Sequence, residues 1–291
     1  MNSLPPVYIG LPQWQHNQWP TTWHGLSSAR TKPLYHYARQ LNSIEGNTTF
    51  YALPEPATVA RWYADTPDNF RFTFKLHQSV THNGTIDPHH PIIAEQCKLL
   101  SPLSHKLGVL LIQLPASFSP SQLDQLGSLL AAFPTSIPIA VEVRHLAFFA
   151  KDALEARFNR LLIEHNANRI IMDTRGLFSE EADNVITTEV RHKKPKVPVN
   201  VIATHNNPIV RFVGGNSDTV NEKKLLPWVR KCHQWRCEGK SPYLFFHRPD
   251  NADAPWLAQQ FICAYNRHYP DSSLPVLSFP DQCESSQTRL F

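Results

Sequence analysis

Short apolar runs alternate with longer amphipathic stretches along most of the chain. Eight of the runs have the length and the β-branched or aromatic content that are typical of buried strands. They are VYIGL (7–11), IEGNTTF (44–50), FRFTFKL (70–76), GVLLIQL (108–114), IAVEVR (139–144), RIIMD (169–173), IVRFVG (209–214) and YLFFH (243–247). Helical periodicity lies between most of them, over residues 34–42, 56–66, 119–133, 153–165, 225–235 and 255–268.

Strands that alternate with helices predict parallel βα units, and eight such units favour a closed (β/α)8 TIM barrel. A doubly wound sheet is the alternative, but no GxGxxG follows the first strand and the chain contains no GxxxxGK[ST]. We therefore predict one α/β barrel domain over residues 1–270. Residues 271–291 lose periodicity and are predicted to form a short, flexible tail.

Within each predicted strand, alternate residues face opposite sides of the sheet. In the second strand Glu45 and Asn47 share the polar face, and in the third strand Lys75 lies opposite the phenylalanines. In the fifth strand Glu142 and Arg144 lie opposite the valines. Because the apolar faces suit the sheet–helix layer, these polar side chains are expected to point into the barrel. More polar residues lie near strand ends, namely Gln113, Asp173, Arg211 and His247.

The carboxyl ends of barrel strands build the active sites of TIM-barrel enzymes. We expect Glu45 or Glu142 to act as general acid or base there. Arg144 and Arg211 are candidate ligands of an anionic group, since a guanidinium suits phosphate or carboxylate. Further catalytic candidates are Asp173, Lys75 as a less favoured Schiff-base amine, and His145, which either shuttles protons or caps a loop; Asn47, Gln113 and His247 are candidate substrate contacts.

Two other interpretations of the same residues stay open. The charges could neutralise one another in a purely structural network, because unpaired buried charges are costly. A divalent metal, Mg²⁺ or Mn²⁺, could be held by Glu45, Glu142, Asp173 and His247, although no HExxH motif supports it. We predict no cofactor.

Gly214 and Gly215 follow the seventh strand in RFVGGNSD (211–218). Barrels often bind phosphate at this position through loop N–H groups. A glycine pair would permit positive φ and a close approach to an anion, and a tight strand-exit turn is the alternative. The basic run RHKKPKVP (191–198) could attract phosphate or nucleic acid, but a solvated loop is the favoured interpretation.

Composition narrows the class of protein. The 291 residues are 42% hydrophobic, with 28 basic and 24 acidic side chains, a charge too small to predict general nucleic-acid binding. Five cysteines without a CxxC pair argue against a zinc or disulfide framework and favour a reducing compartment. The start MNSLPPVYIG has no signal-peptide pattern, and no run is long enough to span a bilayer. We expect a cytoplasmic protein without a membrane partner.

Several stretches carry a family resemblance. They are YIGLPQWQHNQW (8–19), IEGNTTFYALPEP (44–56), TPDNFRFTFKLHQSVTH (66–82), LLIQLPASF (110–118), VEVRHLAFF (141–149) and KKPKVPV (193–199). With these stretches the chain resembles the DUF72 family, and within it the YecE-like proteins, over nearly its whole length. The resemblance implies a TIM-barrel fold and no established activity.

The chain ends in QTRLF (287–291), which resembles the Q-x-x-L-F peptides by which bacterial replication and repair proteins dock onto the sliding clamp. Gln287 would donate and accept hydrogen bonds, and Leu290 with Phe291 would fill an apolar pocket. Three hypotheses follow: an enzyme acting on an anionic, phosphorylated or nucleotide-derived small molecule; an accessory of DNA replication or repair recruited to the clamp; and a non-catalytic ligand-binding barrel.

Overall fold

A computed structural model describes residues 4–20, 23, 32–179, 181–182 and 184–279. The strands are β1 (Tyr8–Gly10), β2 (Ser43–Gly46), β3 (Arg71–Lys75), β4 (Leu107–Gln113), β5 (Ile139–Glu142), β6 (Asn168–Asp173), β7 (Ile209–Val213) and β8 (Tyr243–His247). The helices are α1 (Pro33–Gln40), α2 (Pro56–Asp65), α3 (Gln78–Thr81), α4 (Pro91–Leu100), α5 (Leu123–Ala131), α6 (Ala153–Glu164), α7 (Val185–Lys193), α8 (Asp218–Cys237) and α9 (Ala254–His268).

The described strands form one parallel sheet in the order β1-β8-β7-β6-β5-β4-β3-β2. All eight predicted strands are present, and helices lie between them, so the predicted α/β TIM barrel is confirmed. β2 is shorter than predicted, because residues Thr48–Phe50 form a 3-10 turn instead of continuing the strand. Helices α3, α4 and α7 were not predicted, and α8 extends well beyond the predicted 225–235.

β1 and β2 lie at the two ends of the strand order, and side chains close the barrel between them. The Asn42 amide accepts the Ile9 N–H at 2.8 Å and donates to the Val7 carbonyl at 2.8 Å, which reproduces the two hydrogen bonds of a neighbouring strand. The Tyr37 hydroxyl accepts the Leu11 N–H at 2.9 Å. Side chains therefore complete the hydrogen bonding of β1.

The same junction depends on a glycine. A Cβ on Gly10 would lie 2.6 Å from the Ser43 carbonyl oxygen, so only glycine lets β1 approach β2 this closely. Beyond Gly10, the Glu45 N–H donates to the Leu11 carbonyl at 3.0 Å, a direct backbone bond between the two chain segments. The barrel is nearly closed at this side.

Side chains fill the barrel interior in two layers. An apolar layer of buried residues comprises Val109, Leu111, Ala140, Ile170, Ile209, Tyr243 and Phe245. Toward the carboxyl ends of the strands the next inward positions are polar: Glu45, Lys75, Gln113, Glu142, Arg211 and His247. The apolar layer thus forms the floor of a charged mouth, at the end where TIM barrels carry their active sites.

The connection between β6 and β7 departs from the βα pattern. Residues 194–208, all within the described part, contain neither helix nor strand. The segment begins at the carboxyl end of β6, where Thr174 donates to the Pro195 carbonyl at 3.1 Å. It reaches the other end of β6 at Thr204, which donates to the Ala167 carbonyl at 2.7 Å. The short α7 before it therefore lies at the mouth end of the barrel.

Residues 271–279, which were predicted to belong to the tail, pack against the barrel. Leu277 is 3% and Phe279 is 8% exposed, and the Phe279 ring stacks on Trp23 and Trp256 with centroids 5.9 and 5.0 Å apart. The predicted domain boundary at residue 270 is therefore too early. Residues 280–291 lie outside the described part of the chain. Among the described helices, none has the length and apolar character needed to cross a bilayer.

Candidate active site

Arg211 is the centre of the charged mouth. It lies on β7, is 2% exposed, and donates from Nε and Nη2 to the two oxygens of Glu45 at 2.8 Å each. Its remaining terminal nitrogen, Nη1, donates to Glu142 Oε2. Since β7, β2 and β5 are not neighbours in the sheet, these ion pairs cross the interior of the barrel. Glu45 and Glu142 meet as the strand alternation predicted, and Arg211, which was selected for its place near a strand end, joins them.

Three further predicted residues contact this core. Arg144 donates to Glu142 Oε1 through Nε and Nη2, both at 2.8 Å. Lys75 Nζ lies 2.8 Å from Gln113 Oε1 and 3.8 Å from Glu45 Oε1. The buried side chains form one connected network, which matches the structural requirement that buried charges be paired.

His247 completes the network on the side of β8. Its Nε2 lies 3.0 Å from Glu45 Oε2, and the side chain is almost fully buried. Burial lowers the pKa of His247 to about 4, although the Glu45 carboxylate opposes the shift. The imidazole is therefore neutral near pH 7, with the Nε2 proton directed to Glu45. Its Nδ1 makes no hydrogen bond with the described residues.

The two carboxyl groups are held in their ionised form. Burial would raise the pKa of Glu142, but Arg211 and Arg144 outweigh burial and lower it to about 2. Burial would also raise the pKa of Glu45, but the Arg211 guanidinium and the other nearby groups together outweigh burial and hold this pKa well below its usual value. In turn these carboxylates raise the pKa of Arg211 despite its burial. Both glutamates are therefore carboxylates near neutral pH, with their oxygens bound to guanidinium groups.

The pKa values of two lysines in the mouth are also lowered, which favours the neutral form of an amine. Burial and the nearby Arg211 lower the pKa of Lys75 to about 8. The same two causes lower the pKa of Lys194 to about 7. Partial burial, together with Arg144 and Lys75, also lowers the pKa of His82. The mouth therefore disfavours additional positive charge.

Lys194 was not among the predicted site residues. It follows α7 directly and is partly buried, and its ammonium group makes no hydrogen bond or salt bridge with the described residues. The charged groups that shift its pKa are Arg211, Glu45, Lys75 and Glu142, the cations lowering it and the carboxylates raising it. The basic run that contains it was interpreted as a solvated loop. The departure of residues 194–208 from the βα pattern brings Lys194 to the mouth.

Asp173 does not join the cluster, contrary to the sequence-based expectation. In register, Met172 pairs with Arg211 and Asp173 pairs with Phe212, so Asp173 faces the helix layer. Its carboxylate accepts the Trp228 Nε1–H at 2.7 Å and binds the Arg175 guanidinium at 2.9 and 2.8 Å. Asp173 thus anchors α8 and the loop after β6. The four residues considered for a divalent metal are not brought together, and Arg211 bridges two of them.

Gly214 and Gly215 are packed inside the protein. The Gly214 N–H donates to the His247 carbonyl at 2.9 Å, and the Gly215 N–H donates to Asn221 Oδ1 at 3.0 Å. A Cβ on Gly215 would lie 2.6 Å from the Gly176 carbonyl oxygen. Neither glycine adopts the positive φ that the pair would permit. Both amides are already bound, so the geometry fits the strand-exit turn and corrects the proposed anion loop.

The other two predicted residues have local structural contacts. His145 caps the 3-10 turn Leu146–Phe149, and its Nδ1 accepts the Ala147 N–H at 3.2 Å. Asn47 donates to the Pro12 carbonyl at 3.0 Å and joins the loops after β1 and β2. Between these loops a cleft of about 280 Å³ reaches Glu45. Asn47 and Trp14 line this cleft, so it connects the charged cluster with solvent.

Glu142→Gln tests the charge state of the cluster. The pKa of Glu142 is about 2 in the folded protein against an ordinary 4.5, so its ionisation stabilises the fold above pH 4.5. This contribution is lost as the pH falls toward 2. We expect E142Q to be less stable than wild type by about 2–3 kcal/mol near neutral pH, with a difference that shrinks in acid. Urea unfolding over this pH range measures it.

Glu189→Gln is the matched control for this change. Glu189 is exposed in a surface pair with Lys193 at 3.6 Å, so E189Q should follow the wild-type pH dependence. A stability difference between E142Q and wild type that stays constant from neutral to acidic pH would contradict the ionised state of Glu142.

Comparison with known proteins agrees with this fold. Residues 8–278 match the sequence model of the family described as "Protein of unknown function DUF72". The chain is 40% identical over 251 residues to the UPF0759 protein YecE of Escherichia coli K12, covering 86% of this chain and 89% of that protein. It is 22% identical to the UPF0759 protein YunF of Bacillus subtilis, covering 88% and 93% of the two chains.

Solved structures give the same result. A DUF72 family protein of Enterococcus faecalis superposes with a TM-score of 0.68 at 21% identity, covering 91% of this chain and 99% of that chain. A DUF72 family protein of Thermotoga maritima gives a TM-score of 0.64 at 22% identity, covering 88% and 97%. The fold, the matched length and the identity to YecE agree, and the chain belongs to the DUF72 family.

Proposed function

We propose that the barrel mouth binds a small anionic molecule and transfers protons to or from it. The observation that carries this proposal is Lys194, a partly buried ammonium group that has no hydrogen-bond or salt-bridge partner among the described residues. A buried cation without a counter-ion is unfavourable. An anionic ligand would supply the missing counter-charge.

The balance of charge in the cluster supports the same conclusion. Four basic side chains, Lys75, Arg144, Lys194 and Arg211, interact with the two carboxylates Glu45 and Glu142. With His247 neutral, the fully protonated cluster carries two more positive than negative charges. Arg144 is the best-placed of the guanidinium groups to contact a ligand, because its side chain is 21% exposed whereas that of Arg211 is 3% exposed. A phosphate or carboxylate group matches this geometry.

Proton transfer is assigned to His247 instead of the glutamates. Both oxygens of Glu142 are bound by Arg144 and Arg211, and both oxygens of Glu45 are bound by Arg211, whereas Nδ1 of His247 makes no hydrogen bond with the described residues. His247 donates its Nε2 proton to Glu45, which fixes the tautomer and leaves Nδ1 as the acceptor. This arrangement of a carboxylate and a neutral imidazole is one that enzymes use to hold a general base.

Binding of inorganic phosphate tests the proposal. An anion beside Lys75 and Lys194 should raise the pKa of both amines from about 8 and about 7, so binding takes up protons at mildly alkaline pH. Titration calorimetry in buffers of different ionisation enthalpy measures this uptake. The control is Lys196→Met, because Lys196 is exposed two residues from Lys194.

K196M should retain phosphate binding and proton uptake, whereas Lys194→Met should lose most of both. If wild-type protein binds phosphate no better than chloride at equal ionic strength, the proposal is wrong.

To separate an enzyme from a non-catalytic binding barrel, phosphorylated sugars and nucleotides are assayed for turnover with wild type and His247→Gln. Turnover that H247Q retains in full would contradict the assignment of the base.

The predicted clamp-binding peptide, with Gln287, Leu290 and Phe291, lies outside the described residues. Docking to the sliding clamp and a cytoplasmic location therefore stay predictions. Both are compatible with an enzyme that is recruited to its place of action.

A further inference from the structure

We propose that Lys194 forms an imine with a carbonyl group of the bound anion. This inference rests on the proposed anion-binding function and adds a substrate class, molecules that carry an aldehyde or ketone together with a phosphate or carboxylate. It assigns to Lys194 a covalent role, in addition to its charge.

Lys194 has the freedom that a nucleophilic amine requires. Its Nζ makes no hydrogen bond with the described residues, whereas Lys75 Nζ donates to Gln113 at 2.8 Å and lies 3.8 Å from Glu45. The hydrogen bond from Thr174 to the carbonyl of Pro195 holds the backbone directly after Lys194. The amine is therefore held near the cluster by an anchored backbone, and it has no competing partner among the described residues.

The surroundings keep a large fraction of this amine in its neutral form. Burial and Arg211 lower its pKa to about 7, so about half of it is unprotonated near neutral pH. An ordinary lysine, with a pKa of 10.5, is almost entirely protonated there and does not attack carbonyl groups. Arg144, with its partly exposed side chain, is available to hold the anionic end of the same ligand.

Imine formation needs only the Lys194 amine and the carbonyl compound, and it releases one water molecule. The lone pair of Lys194 Nζ attacks the carbonyl carbon, and the carbonyl π electrons move to oxygen. A proton passes from nitrogen to that oxygen, which gives a carbinolamine. The second nitrogen proton and the hydroxyl group then leave as water, and a C=N bond forms. His247 Nδ1, which has no hydrogen bond to the described residues, is the group that can carry these protons.

Reductive trapping with glyoxylate tests the inference. Glyoxylate carries an aldehyde and a carboxylate, and cyanoborohydride reduces its imine to a stable carboxymethyl-lysine. We incubate the full-length protein with both reagents near neutral pH, digest it and locate the modification by mass spectrometry. Modification should concentrate on Lys194, about 10-fold above the exposed Lys196, since about half of the Lys194 amine is neutral near pH 7.

The outcomes of trapping and of phosphate binding together decide the inference. K196M should be modified at Lys194 as fast as wild type, and added phosphate should slow the reaction by competition. If glyoxylate modifies Lys75 in preference to Lys194, or Lys194 no faster than Lys196, the inference is wrong. Phosphate binding with proton uptake but no selective trapping would overturn the imine alone and leave the proposed function intact. Failure of both phosphate binding and trapping would overturn both.

Discussion

Replacing Arg211 with methionine is expected to lower the free energy of unfolding by about 3–5 kcal/mol near neutral pH, the typical cost of removing one partner from a buried ion pair. The guanidinium binds Glu45 through both oxygens and also binds Glu142, and each of the three residues as a whole is at most 2% exposed. Without Arg211 the two carboxylates are left in a mouth whose remaining cations are the lysines and Arg144. Urea unfolding monitored by fluorescence measures the change.

Two further variants make this result specific. Arg157→Met removes an exposed guanidinium from its 2.7 Å pair with Asp124, and should change stability by less than about 1 kcal/mol. The double variant R211M/E45Q removes the carboxylate that Arg211 binds through both oxygens and leaves Glu142 paired with Arg144, so it should recover a large part of the loss. R211M protein as stable as R157M protein would contradict the view that Arg211 holds the network together.

Replacing Lys194 with methionine is expected to raise the free energy of unfolding, opposite to the effect of replacing Arg211. The pKa of Lys194 is about 7 in the folded protein against an ordinary 10.5. Protonation of this amine therefore opposes folding increasingly as the pH falls from 10.5 to 7, and in full below pH 7. The stability that a neutral amine allows is present in full above pH 10.5 and is lost as the pH falls through 7. K194M avoids that cost and keeps the aliphatic stem, so near pH 6 it should be more stable than wild type by about 2 kcal/mol.

The sign and the pH dependence of the difference identify its cause. The excess stability of K194M should shrink as the pH rises from 7 and disappear above 10.5, where wild-type Lys194 is mostly neutral in both states. K196M, which changes an exposed lysine, should match wild type throughout. A destabilised K194M at pH 6 would show that Lys194 has a counter-ion in the folded protein. Gain of stability with loss of phosphate binding is typical of residues kept for function.

The sequence predicts the barrel and the centre of the cluster, because both depend on short-range periodicity. Alternation within single strands correctly orients Glu45, Lys75 and Glu142 toward the interior. The same rule, applied to residues 169–173, places Asp173 on the face of Ile171 and away from Arg211. Asp173 was selected for its place at a strand end, and that criterion ignores the direction of the side chain.

The parts that sequence did not predict depend on contacts between distant segments. Lys194 reaches the mouth only because residues 194–208 run along β6 without forming a helix. The hydrophobic periodicity of the sequence does not predict the path of such a segment. The amides of Gly214 and Gly215 are occupied by the His247 carbonyl and by Asn221, on other elements. The charge states also follow from burial, which shifts the pKa of His247 and Lys194 far from their ordinary values.

The junction between β1 and β2 has a dynamic consequence. Amide hydrogen exchange reports the local opening of backbone hydrogen bonds, and at this junction the N–H groups of Ile9 and Leu11 are protected by the Asn42 amide and the Tyr37 hydroxyl. Rotation of two side chains is enough to release them, whereas other strands must break a ladder. Glu45 lies on β2 beside this junction. Transient separation of the two strands would widen the route by which molecules from solvent reach the charged interior.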